Sequence, residues 1–158
     1  MKGAIEMDHM IRMAGHQDLD SIVKLLKKGK LNIEGIENHI ENFIVVEQEE
    51  SQHIVGTAGL EVIDEKYGLL RSLVIDPACL DATAGMELVR ILLAFSIQKG
   101  IQEVYFITRS TQFFEFFGCQ AIDGADVPNC VQQSQHYQQS ISNLSTVMVY
   151  KKGKKFLN

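Results

Sequence analysis

The chain has 158 residues, 46% of them hydrophobic and 22% charged, with a formal net charge of −5. That apolar share is too high for a disordered chain, and the length fits one compact domain, residues 1–158. The acidic balance argues against a nucleic-acid partner, whose phosphates need clustered Lys and Arg; the one basic cluster, Lys151, Lys152, Lys154 and Lys155, reads as a solvated end.

Ile11 to Met13 opens the chain as a strand. Leu19, Ile22, Val23, Leu25 and Leu26 then recur as one face of a helix, with Lys24, Lys27 and Lys28 outside it. A second short helix is expected over Ile33 to Ile40. Phe43 to Glu47 (FIVVE) reads as a buried strand, and Gln48 to Gln52 as a polar turn. From His53 to Ile63 the chain alternates, with Ile54, Gly56, Ala58, Leu60 and Val62 on one face and His53, Val55, Thr57, Gly59 and Glu61 on the other, more polar one. Asp64 to Gly68 is the next turn, and Leu69 to Ile75 the next strand, stopped by Asp76 and Pro77.

From Gly85 to Lys99 the apolar residues return to helical spacing, and Gly100 ends them. Val104 to Thr108 has the composition of a central strand. Thr111 to Phe117 is a short helix closed by Gly118, Asp126 to Ser142 is Gln- and Ser-rich without a clear period, and Thr146 to Tyr150 is a last strand. This order describes a mixed α/β (α+β) fold: a largely antiparallel sheet flanked by helices, with one parallel crossover between 69 and 108.

No apolar run reaches the roughly 20 residues needed to cross a bilayer. Glu6, Asp8 and Arg12 interrupt any signal-peptide core, so a soluble cytoplasmic domain with no membrane partner is expected. Cys79, Cys119 and Cys130 are odd in number and widely spaced, with no C-x-x-C pair. They read as reduced thiols, and no metal is expected; a three-thiolate site for a soft metal requires convergence in space that spacing cannot show.

The string GLLRSLVIDP at Gly68 to Pro77 carries a further signal, supported by GLE at Gly59 to Glu61 and YFIT at Tyr105 to Thr108. Phe113, Phe114 and Gly118, and ADVP at Ala125 to Pro128, add to it. Together with the element order, these resemble the GNAT acetyltransferase superfamily, and within it the small proteins associated with arsenic-resistance operons. The resemblance covers about residues 10 to 150.

It implies acetyl-CoA as co-substrate and an N-acetyltransferase acting by direct transfer on a small-molecule or amino-acid-like acceptor. The main chain at Leu73, Val74 and Ile75 is then expected to hold the pantetheine arm and the thioester carbonyl. The loop Leu80 to Gly85, leading into Met86, is expected to hold the pyrophosphate, with Ala82, Thr83, Ala84, Gly85 and Met86 around it. The physics is general: unpaired N–H groups and the positive end of the dipole favour phosphate at a helix start. The chain departs from the superfamily's loop, which carries a cation or amide and two or more glycines. Here only Gly85 remains, Leu80 stands where the cation is usual, and Asp81 brings a negative charge. Thr83 is expected to cap the helix. A non-catalytic module of the same fold, without efficient CoA binding, is the alternative implied.

Glu61, within the matched GLE, is the candidate base that takes a proton from the acceptor amine. Arg71 comes nearly opposite it if the hairpin turns around Asp64 to Gly68, and suits an acceptor carboxylate; a structural ion pair is the other reading. Ser72 points to the opposite face from Arg71, so the two serve one pocket only if a bulge intervenes. Phe114 stands where many superfamily members place a proton-donating tyrosine. His136 and Tyr137 are further pocket candidates, the branch's cysteine–proline before the last strand is missing, and a homodimer is an option because superfamily members often dimerise.

Overall fold

The alternating and apolar runs become β1 (His9–Met13), β2 (Phe43–Gln48), β3 (Ile54–Ile63), β4 (Tyr67–Ile75), β5 (Glu103–Thr108), β6 (Gln120–Ile122) and β7 (Thr146–Lys151) in a computed structural model that describes residues 9–151 and 153. The helices are α1 (Leu19–Lys28), α2 (Ala82–Gln98), α3 (Thr111–Glu115), α4 (Asn129–Gln132) and α5 (Gln135–Ser140). The strands form a seven-stranded sheet in the order β1-β2-β3-β4-β5-β7-β6. β1 with β2, β2 with β3, β5 with β7 and β6 with β7 run antiparallel, whereas β4 and β5 run parallel, as a helical crossover requires. Among the described residues no helix is long and apolar enough to cross a membrane. Of the C-terminal lysines, Lys152, Lys154 and Lys155 lie outside the described residues.

Contacts divide the chain into two compact units, one running to Leu60 and resuming over Arg71–Leu92, the other holding Glu61–Leu70 and the residues from Leu93 onward. In the first, the apolar face of α1 buries Ile22 and Leu26 completely against Ile36, Ile40, Phe43 and Val45, with Val74 packed at the margin. Gly29 ends α1 so close to β4 that a Cβ there would lie 3.1 Å from Val74 Cγ2. The Phe43 ring lies over Gly59, its cross-strand partner, leaving no room for any side chain. The glycine of the GLE string is therefore a packing requirement of the sheet.

An ionic clamp closes the start of this unit. Arg12 on β1 donates to both carboxylate oxygens of Asp18, at 2.8 and 2.9 Å, and through Nε to Glu47 on β2 at 2.6 Å. Asp18 also accepts from the Gly15 N–H at 2.8 Å, which sets the one-turn 3-10 start of α1. The guanidinium and this N–H hold the Asp18 carboxyl below the usual carboxylate range although burial opposes it.

In the second unit, Leu69, Tyr105, Val147 and Val149 pack with Val127, Val131 and Tyr137. The Gln-rich stretch supplies the last two from α4 and α5, and Ser134 caps α5 by accepting from the Tyr137 N–H at 3.2 Å. Tyr105 is buried and donates its hydroxyl to Glu103.

The structure departs from the expected elements in four places. Ile33 to Ile40 is not an α-helix: Gly35 turns left-handed at φ 75°, and one-turn 3-10 segments follow at Ile36–Asn38 and Ile40–Asn42. β6 is a three-residue strand that the sequence pattern does not signal, held by β7. α2 begins at Ala82, not Gly85, because Ala82, Thr83 and Ala84 continue its first turn. Inside β4, Ser72 adopts a left-handed backbone at φ 63°, which regular strand geometry does not predict.

Two measurements test the clamp and the left-handed Ser72. The lowered Asp18 pKa means its contribution is fully present above about pH 4, the unfolded carboxylate value, and is lost as pH falls through the folded value. Asp18→Asn is expected to cost about 2–3 kcal/mol in urea unfolding at pH 7, and a cost equally large at pH 2.5 contradicts the assignment. Ser72→Ala is expected to be about 1 kcal/mol less stable than Ser72→Gly, because alanine keeps the left-handed penalty that glycine escapes while both lose the hydroxyl. Equal denaturation midpoints for the two variants count against a strained residue 72.

Candidate functional site

Around the left-handed Ser72, two side chains that strict alternation keeps apart come together. Arg71 Nε donates to Ser72 Oγ at 3.1 Å, and both residues are buried, at 2% and 8% exposure. Arg71 Nη2 also donates to the Asn32 carbonyl at 3.2 Å, in the segment that leaves α1. The guanidinium is thus oriented from two sides by neutral oxygens. The Ser72 partner accompanies a left-handed backbone and the Asn32 partner is a backbone carbonyl, so no side-chain pattern in the sequence announces either.

Beyond Ser72, Leu73, Val74 and Ile75 complete β4 and are half-buried. The parallel ladder with β5 pairs Tyr67, Gly68 and Leu69 with Glu103, Val104 and Tyr105 and stops there. β4 ends where the Asp76 N–H donates to the Val55 carbonyl at 2.7 Å. A tight loop follows: Asp76 accepts from Ala78, Cys79 and Leu80 N–H groups at 2.9, 3.0 and 2.9 Å. The chain therefore passes from the half-buried strand end to the start of α2 within six residues.

At that start Asp81, not Thr83, is the cap. Its Oδ1 accepts from the Thr83 N–H at 2.9 Å, and its carbonyl accepts from the Ala84 N–H at 3.0 Å. Thr83 lies inside the helix, exposed with Ala82, while Ala84 and Gly85 are buried and Met86 is half-buried. Leu80 is a core residue at 5% exposure, with its Cδ1 3.3 Å from the position a Cβ on Gly56 would take. The expected loop of six residues is reduced to Leu80 and Asp81.

Glu61 lies on β3 at 6% exposure and not on a solvated face. Val55 to Glu61 are buried without a break, so the polar face inferred from alternation does not exist in this strand. Phe114 packs its ring 4.6 Å from Phe106 and 5.0 Å from Phe113, which assigns it to the aromatic core. Tyr137 belongs to the apolar cluster of the second unit, and burial pushes its phenol up. His136 lies half-buried against Ser140 Oγ, 3.4 Å from Nε2. Cys119 is buried, which raises its thiol to about 12, and among the described residues no group of three or more His, Cys, Asp or Glu gathers to hold a metal.

Comparison with known proteins places this geometry in a family. The model of the acetyltransferase (GNAT) family matches residues 10–118. An uncharacterized Bacillus subtilis protein, YwlB, is 27% identical over 149 residues, covering 92% of this chain and 98% of its own. The crystal structure of Rv2747 from Mycobacterium tuberculosis, in complex with CoA, superposes with a TM-score of 0.75 at 22% identity, over 90% of this chain and 98% of that one. N-acetylglutamate synthase from Neisseria gonorrhoeae, complexed with coenzyme A and N-acetyl-glutamate, gives 0.76 at 22% identity; it covers 95% of this chain, which spans only 36% of that longer protein. At these identities the two structures speak to the fold, a seven-stranded mixed sheet with its crossover helix after β4. The family match extends over most of the chain, and the chain belongs to the GNAT acetyltransferase family.

Proposed function

We propose that the protein is an acetyl-CoA-dependent N-acetyltransferase that moves the acetyl group directly to the amine of a small, amino-acid-like acceptor. The observation that carries this reading is the left-handed Ser72, after which Leu73, Val74 and Ile75 run half-buried past the end of the β5 ladder. Main-chain groups on that stretch suit the pantetheine amides and the thioester carbonyl, and the start of α2 suits the pyrophosphate through the N–H groups around Ala82 to Gly85 and Met86. The acceptor amine, once neutral, attacks the thioester carbon. The carbonyl oxygen becomes anionic against backbone N–H groups, and the C–S bond breaks with release of the CoA thiolate, which takes up a proton. Glu61 is assigned the role of base, directly or through water. Arg71, oriented by Ser72 and Asn32, is assigned to the acceptor carboxylate.

Asp81 favours a second reading, a non-catalytic module of the same fold with weakened CoA binding. Its carboxylate occupies the Thr83 N–H that a pyrophosphate oxygen needs, and it brings like charge to the phosphate. Near a surface that repulsion is worth about 1–4 kcal/mol before screening.

Calorimetric titration with acetyl-CoA separates the two. Asp81→Gly is expected to tighten binding about tenfold, since it removes the charge while costing the helix only a few tenths of a kcal/mol as a cap. Unchanged affinity means that the cofactor does not use this helix end. With an amine acceptor in hand, Glu61→Gln is expected to lower kcat about a hundredfold or more while leaving acetyl-CoA affinity within about twofold. An equal fall in both assigns Glu61 to structure.

A further inference from the structure

A surface cleft of about 370 Å³ opens between α1 and the β2–β3 hairpin, with Asp76 and Cys79 at one end. Its size falls at the lower end of small-molecule pockets, about 300–1,000 Å³. Leu25 and Val55 are buried and supply an apolar floor. Lys24 and Lys28, one turn apart on α1, stand on the same wall. Two like charges at that spacing repel. Lys28 shares its charge with Asp76 at 4.0 Å, whereas Lys24 makes no ion pair among the described residues. A chain of net charge −5 thus carries a cleft with two lysines against one carboxylate.

The opposite wall is already ordered. Gln52 is left-handed at φ 61° and donates its N–H to the Gln48 carbonyl at 2.7 Å. Gln48 Oε1 accepts from Ser51 Oγ at 3.0 Å, and its Nε2 faces Cys79 Sγ at 3.6 Å. A hairpin held this way presents His53 and the Gln48 amide to the cleft without an ordering cost at binding.

We propose that this cleft binds a small organic anion, with a carboxylate or phosphate at one end and a short apolar body at the other. The charge lies between Lys24 and Lys28, where it relieves their repulsion, and the body covers Leu25 and Val55. His53 and Gln48 form the polar rim. The site is independent of the acetyl-CoA reading, since none of its residues belongs to the strand end or the helix start assigned to the cofactor.

Phenyl phosphate serves as the probe, titrated into isotopically labelled protein and followed by NMR at the Leu25 and Val55 methyls and the Lys24 amide, with benzyl alcohol as the neutral comparison. Saturable shifts with phenyl phosphate and none with benzyl alcohol are expected. Lys24→Gln, an exposed position that leaves the fold unaffected, is expected to weaken binding about fivefold, and Lys24→Gln with Lys28→Gln to abolish saturation. Shifts that stay linear, or a midpoint unchanged in the double variant, overturn the proposal. An acetyl-CoA arm separates the two sites: if acetyl-CoA displaces phenyl phosphate from these residues, the cleft belongs to the cofactor and the separate site is refuted. A failure of acetyl-CoA to bind anywhere leaves the phenyl phosphate result standing on its own.

Discussion

Ser72 holds φ at 63° in the middle of a nine-residue strand, and the geometry around Arg71 descends from that one angle. In a regular strand adjacent side chains point to opposite faces, so an Arg–Ser dipeptide divides its polar groups between them. One left-handed residue cancels the alternation locally and turns the serine hydroxyl toward the arginine Nε. A non-glycine residue in this region costs about 1–2 kcal/mol. The surroundings over-determine the conformation: Arg71 is tied to the Asn32 carbonyl, Val74 is packed near Gly29 at the end of α1, and Asp76 is bonded to Val55 beyond the strand. Strain held between such fixed points belongs to sites whose geometry must not relax.

Glu61 and Arg71 show what burial changes in the reading of a site. Both are charged and nearly inaccessible, and a buried charge persists only where hydrogen bonds or a counter-charge replace water. For Arg71 part of that replacement comes from a hydroxyl and a backbone carbonyl. At Arg12 the replacement is a counter-charge. Two carboxylates take the guanidinium of Arg12, and the product is a closed structural joint between β1, the start of α1 and β2.

The strands of the sheet were legible because their apolar content is continuous and their turns are polar. β6 was not, since Gln120 to Ile122 is too short for a pattern and exists because β7 offers an edge. Ile33, Ile36 and Ile40 carry helical spacing, yet the left-handed Gly35 breaks the helix and the same isoleucines reach the core through 3-10 turns. In the Gln-rich stretch the buried anchors Val127, Val131 and Tyr137 fall four and then six residues apart, which fits two short helices better than one periodic element. At the site, the GLLRSL string was visible and the left-handed backbone was not, because nothing in the residue types of Arg71 and Ser72 demands a positive φ. The Asn32 partner lends a main-chain oxygen, which every residue has.

The start of α2 is where folding and, under the proposed function, phosphate binding compete for the same atoms. A helix leaves its first N–H groups unpaired, and either a side-chain cap or an anion can take them. Here Asp81 takes the Thr83 N–H, and a capping carboxylate of this kind typically contributes about 1 kcal/mol to the helix. Leu80, next to it, is fully committed to the core below Gly56 and leaves no place for a cation. Both residues at the mouth of the helix thus serve the fold. A phosphate arriving there must displace the Asp81 side chain or lie beside it, and its remaining attraction comes from the helix dipole and the other N–H groups of the first turn. Catalysis tolerates that weakness if the half-buried end of β4 supplies enough of the binding energy through the thioester arm, because those contacts sit next to the reacting carbonyl and strengthen as it becomes anionic.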